Sequence, residues 1–171
     1  MNFLYNYSHN IINYDLLNKF KYNSINNIPK LKFIILYFNF KKCDFKTLIS
    51  ALASLEIISK SKSVLITSQI SNVSFKLRKG QPVGCKITLR KKYMKYFLFI
   101  LINKITLTYQ KKISKNNNLF SFKIKNILLF EKLSHNYQFF KTLSNLNINI
   151  ITTTVTLQEL IFLIKSFKIC I

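Results

Sequence analysis

The amino-acid sequence predicts an α+β fold. It reads as a single domain in which an antiparallel β-sheet carries helices on one face and leaves the other open. Three observations carry this reading. Short runs rich in β-forming residues interleave with apolar stripes at 3–4 spacing along the whole chain. No repeat and no linker divides the 171 residues, a length that suits one domain. Residues Cys85 to Arg90 alternate strictly between apolar side chains and basic or hydroxyl ones. That pattern belongs to a strand packed on one side and wet on the other.

The elements follow in order. Residues 1–21 read as an N-terminal arm, with an Asn-rich, loose start and a short helix from Asp15 to Phe20. The domain proper spans 22–171. Asn23 to Lys30 is a turn, because Pro29 disfavours helix at the preceding residue. Lys30 to Phe38 is a strand. Asp44 stands as an N-cap before a helix whose stripe is Phe45, Leu48, Ile49, Leu52 and Leu55, ending near Ser59. Ser63 to Thr67 and Val73 to Leu77 are short strand candidates. The stretch Arg78 to Gly84 then gathers both glycines and one of the two prolines of the chain, which marks a turn. After the alternating strand, Met94, Phe97, Leu98, Leu101 and Ile105 form a second helical stripe. Asn116 to Asn118 is a loop, and Leu119 to Ile124 is a strand. Asn147 to Thr154 is a further strand. A final helix follows, with Leu157, Leu160, Ile161, Ile164 and Phe167 on one stripe and Thr156 with Glu159 at capping-box spacing.

Charge points to the partner. There are 27 Lys and Arg against 5 Asp and Glu, a formal net charge of +22. Self-repulsion of that size destabilises a compact chain until a polyanion neutralises it. The hydrophobic fraction of 49 % is too high for a disordered basic tail, so a folded core inside a basic shell is implied. Nucleic acid is favoured over a membrane surface because the cations are spread along the sequence. The alternative is a basic, membrane-associated organellar protein. Against a membrane span, the longest apolar stretch, Tyr96 to Ile102, falls well short of the roughly 20 residues a bilayer requires.

Other classes have little support. Cys43, Cys85 and Cys170 are odd in number and widely spaced, which indicates neither a disulfide framework nor a zinc site. His9 and His135 are isolated, and the five carboxylates form no acid–base or metal-ligating pattern. Two glycines do not build a phosphate loop. No enzymatic activity, cofactor, metal or small-molecule substrate is therefore expected. Lys, Asn, Ile, Phe and Tyr are abundant while Gly, Pro, Ala and Arg are scarce, the drift of an AT-rich gene such as an organelle's. The start carries Asp15 and no Arg, unlike an Arg-rich transit peptide. The expected location is the mitochondrion, with the plastid as alternative.

The segment FKLRKGQPVGCKITLRKKYMKYF, Phe75 to Phe97, resembles the signature of the universal large-subunit ribosomal protein number five family. Phe75, Lys76, Arg78, Gly80, Pro82, Gly84, Cys85, Lys86, Thr88, Leu89, Arg90, Met94 and Phe97 fall in place. YNSINNIPKLKFIIL, Tyr22 to Leu36, resembles the family's entry into its first strand, with Asn23, Pro29 and Lys30 in register. LNINIITTTVTLQELIFLIKSF, Leu146 to Phe167, resembles its closing strand–helix unit. The likeness runs from about Phe20 to the C-terminus.

The resemblance implies a curved sheet with rRNA on its open face, in the 5S rRNA-binding central protuberance. It also implies a loop, Asn72 to Pro82, that reaches the peptidyl-site tRNA. Implied rRNA contacts are Asn23, Lys30, Lys62, Thr67, Lys86, Thr88, Arg90, Lys111, Lys112 and Lys115. Implied tRNA contacts are Phe75, Lys76, Arg78, Lys79 and Gln81. Neighbouring ribosomal proteins of the central protuberance are implied as further partners. The chain departs from the family in four places. Tyr37 to Phe40 replaces an Asn and a Gly-containing stretch. Lys62 replaces a Gln, and Ser68 to Ser71 replaces a basic run. The Lys111 to Asn118 segment is short and lacks an Arg-, Asp- and Gly-rich loop. Loss of the 5S rRNA partner is therefore a further alternative.

Overall fold

The computed structural model describes residues 2–40, 44–74, 77–104, 109–113, 116–143 and 145–169. Cys43, Phe75, Lys76, Ile105, Lys115 and Cys170 lie outside them. Among the described residues, six strands form one antiparallel sheet: β1 Leu31–Asn39, β2 Val64–Thr67, β3 Pro82–Leu89, β4 Tyr109–Ile113, β5 Leu119–Ile124 and β6 Leu146–Thr152. Their spatial order is β2-β3-β1-β6-β5-β4, so β1 and β6 lie side by side at the centre.

One face of this sheet is the floor of the core. Ile34, Leu36 and Phe38 of β1 lie opposite Leu89, Ile87 and Cys85 of β3. On the other side Ile34 and Leu36 pair with Ile150 and Ile148 of β6, which meet Phe120 and Phe122 of β5. All these residues are at most 2 % exposed. Burial contributes roughly 1.5–3 kcal/mol for each large apolar side chain, so this floor dominates the folding energy.

Helices cover that floor. Among the described residues they are α1 Asn2–Tyr7, α2 Asn13–Lys19, α3 Phe45–Ser59, α4 Lys91–Lys104, α5 Glu131–Ser134, α6 Tyr137–Phe140 and α7 Leu157–Ser166. A π-helical turn, Ser8–Ile12, joins α1 to α2. Short 3₁₀ turns occupy Ile25–Asn27 and Ile127–Leu129. Leu48, Ala51, Leu55 and Ile58 bury the inner stripe of α3. Met94, Phe97, Leu98 and Leu101 do so for α4. Thr156 closes a complete capping box with Glu159 at the start of α7. The predicted fold class is the observed one, and no described helix is long and apolar enough to cross a membrane.

Several local expectations change. Phe45 and Ile49 stand outside the α3 stripe, 77 % and 49 % exposed, because the buried arc is rotated towards Ala51 and Ile58. Asp44 occupies the N-cap position, yet its side chain makes no cap bond; the Thr47 hydroxyl instead donates to the Asp44 carbonyl. Leu163 joins the α7 core stripe, while Leu157 is 37 % exposed. Val73 to Leu77 is not a strand: the described residues there form a turn closed by one Asn72–Leu77 bridge. The Asn-rich start is helical rather than loose, with Ile12 and Leu16 of the π turn and α2 buried in the core.

Candidate nucleic-acid interface

The second sheet face has no described helix over it, and the register arranges its side chains in rows. One row runs Val64, Lys86, Tyr37, Asn147 and Lys123 across β2, β3, β1, β6 and β5. The next runs Thr88, Ile35, Asn149 and Ser121. A third holds Phe33, Ile151 and Leu119, with Arg90 beside it; the Arg90 guanidinium lies 5.5 Å from the Phe33 ring centroid. Lys86, Thr88, Arg90 and Lys123 are exposed, and the central aromatic, aliphatic and amide side chains are half-buried. Cations and hydroxyls thus rim a strip of flat, partly apolar surface. Such a surface can hold phosphates at its margins and stack sugars or bases at its centre.

Electrostatics sharpens the distinction between the two faces. None of the six described strands contains an Asp or Glu. Asp15, Glu56, Glu131 and Glu159 lie on helices and Asp44 at a helix start. The open face therefore carries cations without an acid on any described strand. Among surface pairs in water such repulsion is modest, but it accumulates where many like charges share one low-dielectric wall.

Two glycines fix the geometry of β3 and the hairpin before it. A Cβ on Gly84 would stand 2.1 Å from the Phe38 carbonyl oxygen, so only glycine lets β1 and β3 approach here. Gly80 has φ +87°, a left-handed conformation that other residues adopt at a cost. It sits at the base of the hairpin between β2 and β3. There Ser68 N–H donates to the Gln81 carbonyl at 2.8 Å and Gly80 N–H to the Ser68 carbonyl at 2.9 Å. Higher up, Asn72 and Leu77 exchange two backbone bonds of 3.0 Å. Ile70 and Val73 are 78 % and 92 % exposed, so the described part of this hairpin stands in solvent.

The sequence-predicted residues fall into distinct groups. Lys86, Thr88 and Arg90 share the open face. Arg78, Lys79 and Gln81 lie together on the hairpin, and the Gln81 side-chain oxygen accepts from Arg78 N–H at 2.9 Å. Lys112 pairs in register with Ser121 of the open-face rows, whereas Lys111 pairs with Phe122. Lys30 leads into β1 and is tied to Thr153 through its backbone. Thr67 ends β2 at the sheet edge. Lys62 lies in the α3–β2 turn beside Glu56. The Ser63 backbone N–H, then its hydroxyl, holds the Glu56 carboxyl below its usual range, and Lys62 adds to the effect. Asn23 is exposed in a bend before the first 3₁₀ turn, apart from the rows.

Sequence reasoning missed Phe33, Ile35, Tyr37, Asn147 and Asn149 as face residues. The signal was present: each alternates with a core residue of β1 or β6, but both strands look uniformly hydrophobic or amide-rich when read without a register.

Comparison with known proteins gives consistent matches. The family model for the C-terminus of the ribosomal uL5 family matches residues 82–170. Large ribosomal subunit protein uL5m of Reclinomonas americana is 33 % identical over 181 aligned positions, covering 99 % of this chain and 97 % of that protein. Large ribosomal subunit protein uL5 of Blochmanniella floridana is 32 % identical, covering 91 % of this chain and 85 % of its own. The uL5 of Nitrosomonas europaea is 32 % identical, covering 96 % of each.

Proposed function

Since this chain belongs to the ribosomal uL5 family, we propose that it binds 5S rRNA or neighbouring central-protuberance rRNA through the open sheet face and meets peptidyl-site tRNA through the β2–β3 hairpin. Family membership makes it a structural constituent of the large ribosomal subunit, not an enzyme. Its partners are accordingly rRNA and ribosomal proteins. We take 22–171 as the ribosomal domain and 1–21 as an arm laid on it. Likeness to a uL5m and the AT-type composition favour a mitochondrial ribosome, although bacterial relatives match nearly as well.

The observation that carries the reading is the sorting of charge. The six described strands lack acids, and Lys86, Thr88 and Arg90 stand exposed on the uncovered face. Side chains two apart on a strand lie about 7 Å apart, close to the spacing of successive phosphates. The test is the salt dependence of binding to a transcript of the 5S rRNA and to one of the central-protuberance rRNA. Replacing Lys86 and Arg90 by Gln removes two phosphate contacts, which lowers the slope of log K against log salt by about 1.8 for a helical target. An unchanged slope for K86Q/R90Q would remove this face from the interface. The two transcripts also separate the readings with and without a 5S partner. Tyr37, central on the face where the family carries Asn, favours a partner held by stacking over one read by an amide.

A further inference from the structure

A cavity of about 360 Å³ opens where the N-terminal helices meet the entry of β1, α4 and α7. Its floor is apolar: Ile12, Met94, Leu98, Leu163 and Phe167 line it and are each at most 8 % exposed. Its mouth is polar and carries Ser8, His9, Asn13, Lys30 and Lys95, with no carboxylate in the lining. The volume lies at the small end of ligand pockets, roughly 300–1,000 Å³. A single aromatic ring fits a cavity of about 150 Å³, so a two-ring base is accommodated here.

A second observation points to the same place. Ser8–Ile12 is a π-helical turn, in which Asn13 N–H donates to the Ser8 carbonyl. Such turns are rare and collect at functional sites, because the wider turn sacrifices regular helical bonding to re-aim side chains. Here it puts Ser8, His9 and Ile12 around the cavity. Nothing in the flanking backbone requires the interruption: the residues on either side continue in α conformation, with Tyr7 and Asn13 both right-handed.

On the reading that the chain binds RNA, we propose that this cavity receives one unstacked nucleobase of the bound strand. The base enters between the π turn and α4. Phe167 and Met94 contact its faces or edges, Asn13 and His9 meet its polar edge, and Lys30 and Lys95 hold the flanking phosphates. Lys30 also leads directly into β1, so a strand lying on the open face has a short path to the cavity. Single-stranded RNA is commonly held in this manner, by a cationic track with pockets or platforms for splayed bases.

Met94 provides the assay. It is one of only two methionines in the sequence, so methyl-labelled methionine gives two NMR signals. The full chain is titrated with an octamer of riboadenylate and with an abasic octamer of equal charge. A base in the cavity places a ring current against the Met94 methyl group, and the adenylate octamer shifts that signal upfield while the abasic strand does not. Asn13→Trp blocks the mouth; it abolishes the shift and weakens adenylate binding roughly tenfold, with binding of the abasic strand unchanged. If the adenylate octamer binds to saturation and the Met94 signal stays in place, or moves equally with the abasic strand, the cavity is not a base pocket and the open-face reading stands. If neither octamer binds even at low salt, the nucleic-acid reading itself fails. Circular dichroism of Asn13→Trp guards against loss of fold, and the comparison of the two octamers on the unmodified chain needs no variant.

Discussion

Gly84→Ala tests the packing that holds the interface flat. The added methyl carbon would lie 2.1 Å from the Phe38 carbonyl oxygen, 3.2 Å from its carbon and 3.4 Å from Asn39 Cα. All three are backbone atoms, so no side chain can swing away. Ordinary non-bonded separation is about 3.5 Å or more, which forces β1 and β3 apart by more than about 1 Å at a point where strands lie about 4.8 Å from one another. The Phe40 N–H to Val83 carbonyl bond, 2.9 Å long, is adjacent and would be lost. Overpacking costs about 1–3 kcal/mol, and a buried backbone group left unmade adds about 1–3 kcal/mol. The expected loss is about 3–5 kcal/mol, a large part of the roughly 5–15 kcal/mol typical of a domain. Urea denaturation of the two proteins measures it, with the m-value reporting any change of denatured state. A midpoint shift worth less than about 1 kcal/mol at unchanged m would refute the close-approach argument.

Other predictions follow from single sites. The Tyr22 hydroxyl is buried with no hydrogen-bond partner, and its pKa is pushed up to about 12 by burial first and then by Glu159. A phenol raised in the fold contributes stability that is full below about pH 10 and is lost as pH rises towards about 12. Tyr22→Phe should therefore equal or exceed the parent in stability at neutral pH and show a shallower decline in that alkaline window; a loss of more than about 1 kcal/mol at neutral pH would show that the hydroxyl has a partner. Thr156→Ala removes one half of the α7 capping box and should cost about 1 kcal/mol by thermal or urea unfolding. Because the net charge is +22, the melting temperature of the free chain should rise with added salt and further with rRNA; a melting temperature indifferent to both would contradict the charge argument. Arg90→Lys keeps a cation but loses the guanidinium over Phe33, so it should retain the salt slope and weaken RNA binding severalfold.

Much of this fold is legible in the sequence because periodicity, turn chemistry and capping agree. The alternation of Cys85 to Leu89 matches the burial of β3 residue by residue, and Thr156 with Glu159 places the start of α7. What the sequence hides depends on tertiary context. The rotation of α3 leaves Phe45 outside because the helix meets the sheet along Ala51 and Leu55, and a small residue carries no periodicity signal of its own. The helical run from α1 to α2 is concealed by its many Asn, which favour turns, and is rescued by burial of Ile12 and Leu16. Of the candidate interface, the cationic edge was readable from β3 alone. Tyr37 and Asn147 join it only through the register of β1 with β3 and β6. The cavity is beyond any local reading, since its lining comes from four separate stretches of chain.

A density map of the large ribosomal subunit that contains this chain would address the central claim most directly. It should show ribose-phosphate within hydrogen-bonding distance of Lys86, Thr88 and Arg90, with RNA lying across Tyr37 and Asn147. Finding the uncovered side of the sheet against lipid, protein alone or bulk water, with no polynucleotide on it, would contradict the account.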